Sequence, residues 1–483
     1  MRVVFTFLFA GMLYFVFSAG LSADEEKNIN VVLIVIDALR ADHLGCYGYE
    51  RDTSPNIDRF AKQAVLFKQA FSHGPSTRIA IPSLLSSLYP AVFYNGMEWA
   101  MPLNGKSISL PEILAKHGYE TAMFASPVLE GVSGIDRRFQ TAVIFPKGEQ
   151  VSAAGGSLHM LDLTEVDSEI TKESLAWMAK HQERPFFLYV HFLGAHDPYL
   201  PPAPYDAMFW KKEITAENRE FLKGFTRARG YSDNYDIFFD NAMLDFILAQ
   251  YDGEIRYADY QVGRIMEGLE KLNLSQKTMV ILTADHGHAF GEHGKFFHDN
   301  ALYDELINIP LLMRLPGVLP QGETINSLVR HIDMMPTVFD VLGLNLNNNI
   351  IQGASVLPLI LNSVSSERES VSESQAGHSK AIRADGWLFI AGYNAQNHPQ
   401  PLELYNLGDD PAQTVNLIKA IPESAFYRKA ARDAGEKLQE KLKEYDASCI
   451  KLRSVILEGS PEKNAEILDE ETKAALRSLG YIN

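Results

Sequence analysis

Val31–Ile36 is an unbroken apolar run, mostly β-branched. Continuous rather than alternating hydrophobicity predicts a strand buried on both faces. Phe186–Phe192 and Thr278–Thr283 share that texture. Between these runs the period lengthens. Ile57, Phe60, Ala61 and Ala64 recur at helical spacing behind Ser54-Pro55, a cap followed by a first-turn proline. Pro111–His117 reads as a short helix stopped by Gly118, Tyr119–Phe124 as a strand, and Val166–Lys180 as a helix. Ile255, Ala258, Val262, Ile265, Met266 and Leu269 line one face of a long helix that leads into the Thr278–Thr283 strand. Helix-then-strand alternation predicts an α/β sheet with helices on both sides.

Past Ile360 the texture changes. Ser363–Ser379 is rich in Ser and Glu and reads as a surface linker. Lys380–Ala391 and Leu402–Leu407 predict short strands of a smaller sheet, and Ala425–Tyr445 a charged amphipathic helix. The expected division is a main unit over 24–362, a linker over 363–379 and a C-terminal subdomain over 380–483.

With 483 residues, 46% hydrophobic and 22% charged, the chain has globular composition and length for a large core. The net charge of −17 opposes binding to nucleic acid or anionic lipid, so no nucleic-acid partner is expected. An anionic substrate would need a local positive site, most simply a metal. Residues 1–23 read as an export signal: Arg2 is the basic start, Val3–Phe17 the apolar stretch, and small residues follow. The expectation is a periplasmic or secreted protein with no other membrane segment; an uncleaved N-terminal anchor is the alternative. Cys46 and Cys449 are too few for a disulfide framework. Asn273-Leu274-Ser275 is a glycosylation sequon.

In open α/β sheets, ligands bind at the carboxyl ends of strands. Asp37 follows the first strand and Asp285-His286 the Thr278–Thr283 strand. Asp37 alone reads equally as a turn cap. Asp285 and His286 side by side, before Gly287, suit an ion held by carboxylate oxygen and imidazole nitrogen. Thr77 precedes Ile79–Leu88, which reads as a helix, so its bland role is an N-cap. Its functional role would be a hydroxyl nucleophile, made acidic by helix amides and a neighbouring cation; Ser76 competes for that role. His196 and His298 could bind an anion or protonate a leaving group, although a loop histidine is often incidental. His286, His288, His293 and His298 crowd one short stretch, which favours a site. Arg40 and Lys295 could neutralise an anion or form surface ion pairs.

The stretch NVVLIVIDALRADHLGCYGY resembles the opening of the sulfatase family within the alkaline phosphatase superfamily. The likeness continues through TSPNIDRFAKQAVLF, HFLGAHDPYLPP, YDGEIRYADYQVGRI, ILTADHGHAFGEHGKFFHDNALYDELINIPLL, ELYNLGDDPAQTVNL and LRSLGYI. It implies an alkaline-phosphatase-like large mixed sheet sandwiched by helices, a smaller C-terminal α+β subdomain, and one divalent metal (Ca, Mn, Mg or Zn) beside the nucleophile. By position, Asp37, Thr77, Asp285 and His286 would be metal ligands, and His196, Lys295 and His298 would contact the transferred group.

One departure bears on the chemistry. Sulfatases carry Cys or Ser in a C/S-x-P-S-R motif, converted to formylglycine. Counted back from Pro82–Pro90, that position falls on Thr77, and the motif's proline, serine and arginine are Ile79, Ala80 and Ile81. The second aspartate that often follows the first is Ala38. A formylglycine hydrate expels sulfate by collapsing to the aldehyde, whereas a threonine ester must be attacked at its central atom. Phosphorus tolerates that displacement. The expectation is therefore an exported metal-dependent hydrolase or transferase acting on phosphate or phosphonate esters of small molecules, glycans or lipid headgroups. The alternatives are a sulfuric ester hydrolase with a nonstandard nucleophile and a catalytically silent metal-binding homologue. Specificity is expected in loops such as Phe145–Leu161 and Pro202–Asp240.

Overall fold

The computed structural model describes residues 29–93, 108–130, 132, 134–145, 165–228, 240–298, 301–346, 350–362, 368–374, 378–394, 398–420 and 424–456. The predicted export signal, most of the 145–161 loop, residues 229–239 and the LRSLGYI motif lie outside them.

Eleven of the described strands matter for the main unit: β1 (Asn30–Ile36), β2 (Val65–Phe71), β3 (Glu120–Ala125), β4 (Thr141–Ile144), β5 (Phe186–Phe192), β6 (Thr278–Ala284), β7 (Ala289–Phe290), β8 (Phe296–Phe297), β9 (Asn308–Arg314), β10 (Thr324–Ile325) and β11 (Val329–Arg330). The large sheet runs β10-β2-β9-β6-β1-β5-β3-β4, with β11 also on β2. β1 is parallel to β5 and β6. β9 is antiparallel to both β6 and β2, which makes the sheet mixed and returns β2 to the direction of β1. The carboxyl ends of β1, β2, β5 and β6 therefore open on one edge. Val31–Ile36 are at most 1% exposed, as their unbroken hydrophobicity predicts. Burying each such side chain contributes ~1.5–3 kcal/mol. Helices flank the sheet; Asn241–Lys271 packs on Pro55–Ala61 and Val166–Lys180.

The C-terminal subdomain holds β12 (Ser370–Glu373), β13 (Ser379–Ala384), β14 (Trp387–Tyr393) and β15 (Pro399–Asn406), all antiparallel. The helix Ala425–Ile456 lays Leu438, Leu442, Tyr445 and Cys449 on this sheet. Three expectations are corrected here. The stretch read as linker contains the buried strand β12, two of whose polar side chains find partners: Ser372 Oγ donates to the Ser72 carbonyl at 2.6 Å, and Glu373 Oε1 accepts the Ala91 amide at 3.0 Å. Lys380–Ala391 is two strands, joined at Asp385-Gly386, where both φ angles are positive, as a tight hairpin turn requires. The last helix runs on from Tyr445 to Ile456.

Candidate active site

β1 ends at Ile36, and Asp37 takes the next ladder position. Its amide donates to the Phe192 carbonyl of β5 at 3.1 Å, and its carbonyl accepts the Ala195 amide at 3.3 Å. Asp285 follows β6, and its Oδ1 accepts the amides of Ala38 at 3.2 Å and His286 at 2.8 Å. Ala38 reaches that bond at φ 54°, a left-handed conformation that costs a non-glycine residue ~1 kcal/mol or more. His286 donates Nδ1–H to the Gly287 carbonyl at 2.8 Å. Its Nε2 then carries the lone pair, and it faces Asp37 Oδ1 at 3.5 Å, Asp285 Oδ2 at 3.6 Å and Thr77 Oγ1 at 3.5 Å.

Thr77 is the first residue of the helix Thr77–Ser86, which begins two residues earlier than its apolar run indicates. It sits inside the helix and not at the cap. Ser76 is the N-cap, and its side chain makes no capping bond. The Thr77 hydroxyl is therefore directed at the acidic and imidazole cluster and not at its own backbone.

His196 lies on the turn after β5 and His298 just beyond β8. Their Nε2 atoms are 3.1 Å apart. His196 Nδ1 faces the Asp197 carbonyl at 2.6 Å, and His298 Nδ1 the Pro75 carbonyl at 3.2 Å. The His298 ring lies 4.4 Å from that of His286, so both histidines join one wall of the same site. Asp197 completes their cluster.

The two cations behave differently. Arg40 is buried, with its guanidinium on Asp42 at 2.7 and 2.9 Å, Glu292 at 2.6 Å and the His288 carbonyl at 3.0 Å. That is the ion-pair role: its charge is already matched within the protein. Lys295 is half-buried in the turn joining β7 and β8, and its ammonium makes no ion pair among the described residues.

Asp37, Asp285 and His286 are fully buried, and among the described residues neither oxygen of Asp37 nor Oδ2 of Asp285 accepts a hydrogen bond. Unpaired buried carboxylates cost several kcal/mol each. Acceptors turned toward one another repel unless a cation stands among them, so this donor set fits a divalent metal. Burial raises the Asp37 carboxyl, but in the cation-free protein positive charge on the rings of His196, His191 and His286, when they are protonated, outweighs it and holds it below the usual range. Asp285 is raised, by burial and then by the Asp37 charge.

The sequence reading passed over two residues. His191 is fully buried on β5 with Nε2 3.6 Å from Asp37 Oδ2; the available signal was one imidazole in an otherwise apolar strand. Asp167 accepts the amides of Leu193 at 2.7 Å and Gly194 at 3.0 Å, and so anchors the turn that carries His196. Gly194 turns there at φ 54°, where a Cβ would lie 2.3 Å from Ile36 Cγ2.

The fold has counterparts among known proteins. Among solved structures, the phosphonate monoester hydrolase of Agrobacterium radiobacter matches with a TM-score of 0.67 and 22% identity, over 89% of this chain and 96% of that one. Arylsulfatase K of Rattus norvegicus is 25% identical over 439 residues, 82% of this chain and 76% of the relative. An N-acetylglucosamine-6-O-sulfatase of Bacteroides thetaiotaomicron is 22% identical, over 87% and 88% of the two chains. A model of the C-terminal region of N-sulphoglucosamine sulphohydrolase matches residues 291–445. The family model "Sulfatase" matches residues 29–344, a span that runs from β1 to past the Met334–Val341 helix and takes in every strand end that carries a candidate ligand. With that span matched, and with the mixed sheet and buried acid–imidazole cluster in place, the chain belongs to the sulfatase family.

Proposed function

We propose that this chain is an exported, metal-dependent ester hydrolase in which Thr77 attacks the phosphorus of a phosphate or phosphonate ester. The observation that carries this reading is the Thr77 hydroxyl, 3.5 Å from His286 Nε2 at a helix N-terminus. Cys46 and Cys449 are both remote from that position in sequence, and Cys449 lies on the last helix.

Asp37, Asp285 and His286 would hold the cation, with Thr77 beside it. When bound, the ion supplies positive charge that draws the anionic group in and polarises it. The protein's own groups do the rest. The helix dipole stabilises negative charge at Thr77 Oγ1. The Thr77 hydroxyl proton passes to the imidazole of His298 or His196, and that oxygen forms the new bond to phosphorus as the bond to the leaving oxygen breaks. His298 or His196 protonates the leaving oxygen, and Lys295 balances charge on the transferred group. Water then attacks phosphorus and releases Thr77; a second alcohol in its place would make the enzyme a transferase.

A sulfuric ester is the second reading, supported by relatives named as sulfatases. Purified mature protein assayed on paired aryl phosphomonoester, phosphodiester, phosphonate and sulfate substrates, across Mn, Ca, Mg and Zn, separates the two. Phosphorus-ester turnover lost in Thr77→Ala supports the first reading. Sulfate turnover supports the second. Cation binding without turnover on any ester supports a silent homologue.

A further inference from the structure

The position that often carries a second aspartate in this family is Ala38, whose methyl group cannot bind a cation. Strand β5 brings another donor beside Asp37. His191 pairs with Val35 in the ladder, one residue back from the end of β1, and is 0% exposed. Its Nε2 is 3.6 Å from Asp37 Oδ2, and the ligand atoms of Asp37, His191 and Asp285 all lie within 4.8 Å of one another. We infer that His191 is a direct ligand of the cation, standing in for the acidic group missing at Ala38, and that its imidazole makes the centre selective for zinc-like transition ions over calcium or magnesium. The inference rests on the reading of Asp37, Asp285 and His286 as cation ligands.

Spacing supports it. The His191–Asp37, His286–Asp37 and His286–Asp285 separations are 3.6, 3.5 and 3.6 Å. Hydrogen bonds of these groups would be roughly 2.7–3.2 Å. Donors sharing one ion at metal–ligand distances of ~2.0–2.2 Å sit roughly 3.0–3.5 Å apart, close to the separations here. The competing role, a core histidine satisfied by Tyr189, accounts for only one ring nitrogen. Tyr189 Oη lies 2.7 Å from His191 Nδ1. Among the described residues Nε2 is left buried with no hydrogen-bond partner, its nearest polar neighbour being Asp37 Oδ2 at 3.6 Å, an arrangement folded proteins rarely keep. When Nδ1–H donates to Tyr189, Nε2 presents its lone pair, and the phenol fixes the ring as outer groups do around bound metals. His191 approaches Asp37 Oδ2 and His286 approaches Asp37 Oδ1, so the two imidazoles flank the one carboxylate; imidazole ligands suit zinc, whereas calcium takes six to eight oxygens.

The test is cation binding by the chelator-stripped full-length protein, by calorimetry with Zn, Mn and Ca and by elemental analysis. The wild type should hold one ion and prefer zinc to calcium by at least ~100-fold. His191→Gln should lose at least ~tenfold in zinc affinity with calcium affinity little changed, and Tyr189→Phe a smaller part of it. X-ray absorption of the zinc-loaded wild type should count two imidazoles, a readout that needs no variant to fold. Unchanged zinc affinity in His191→Gln, or a single imidazole, overturns the inference even if Asp285→Asn abolishes binding. A wild type that binds no divalent cation overturns the underlying reading as well.

Discussion

Asp167 offers a sharp test because its charge works against the fold while its geometry serves the site. Its carboxylate anchors Leu193 and Gly194 behind His196 and is almost fully buried. Burial pushes it up to about 6 despite the two amide bonds and the nearby His191, against an ordinary value of 3.8. Between those values the folded protein keeps a proton that the unfolded chain has lost. A raised folded-state value gives stability that is complete below the ordinary value and is lost as pH rises through about 6. A difference of roughly two units amounts to ~3 kcal/mol. Asparagine cannot titrate, so Asp167→Asn should gain up to ~3 kcal/mol on the wild type between pH 4 and pH 7. A fixed offset of ~1–3 kcal/mol runs the other way, because one carboxamide oxygen replaces two acceptors. Thermal unfolding of both proteins from pH 4 to 7.5, at fixed saturating cation, reads the difference directly. The variant should be the less stable at the acid end, and the gap should close or reverse by neutrality. A pH-independent gap would refute the assignment of a raised, buried carboxyl. Turnover should fall at every pH, since His196 loses its anchored turn.

Gly287→Ala places a Cβ 2.1 Å from the Glu305 carbonyl oxygen, a backbone atom that cannot swing aside. It should destabilise the fold by ~2–4 kcal/mol and weaken cation binding, since Gly287 also accepts the His286 ring proton; unfolding and calorimetry check both. The Cys46 thiol is pushed up to about 12 by burial and Asp58, and Cys449 to about 11 by burial and Glu373. Neither thiolate forms at neutral pH, so native protein should resist iodoacetamide, and Cys46→Ala with Cys449→Ser should keep wild-type turnover. Lys295→Ala should raise KM for an anionic ester more than it lowers kcat, whereas Arg40→Ala, which strands the Glu292 carboxylate, should lower the unfolding temperature first.

The main sheet was legible because β1, β5 and β6 are buried on both faces, so their hydrophobicity is continuous. Asp37 and Asp285-His286 stood out where those runs break at a carboxyl end. His191 stayed hidden because a single imidazole within an apolar strand also reads as a core position, and only the register with β1 places it beside Asp37. The true start of the Thr77–Ser86 helix was masked by its polar first turn. β12 was misread because Ser372 and Glu373 are polar yet buried, and their partners, Ser72 and Ala91, lie about 300 residues away in sequence. Arg40 was ambiguous for the same reason: Glu292, which helps to match its charge, comes from the β7–β8 connection.

The central claim is that an unmodified threonine is the nucleophile. Mass spectrometry of the peptide containing Ser76-Thr77-Arg78, from resting enzyme and from enzyme quenched during turnover of an aryl phosphonate, tests it most directly. Intact threonine is expected at rest, and a phosphonyl ester on Thr77 after quenching. An aldehyde at this position, or the adduct on Ser76, would contradict it.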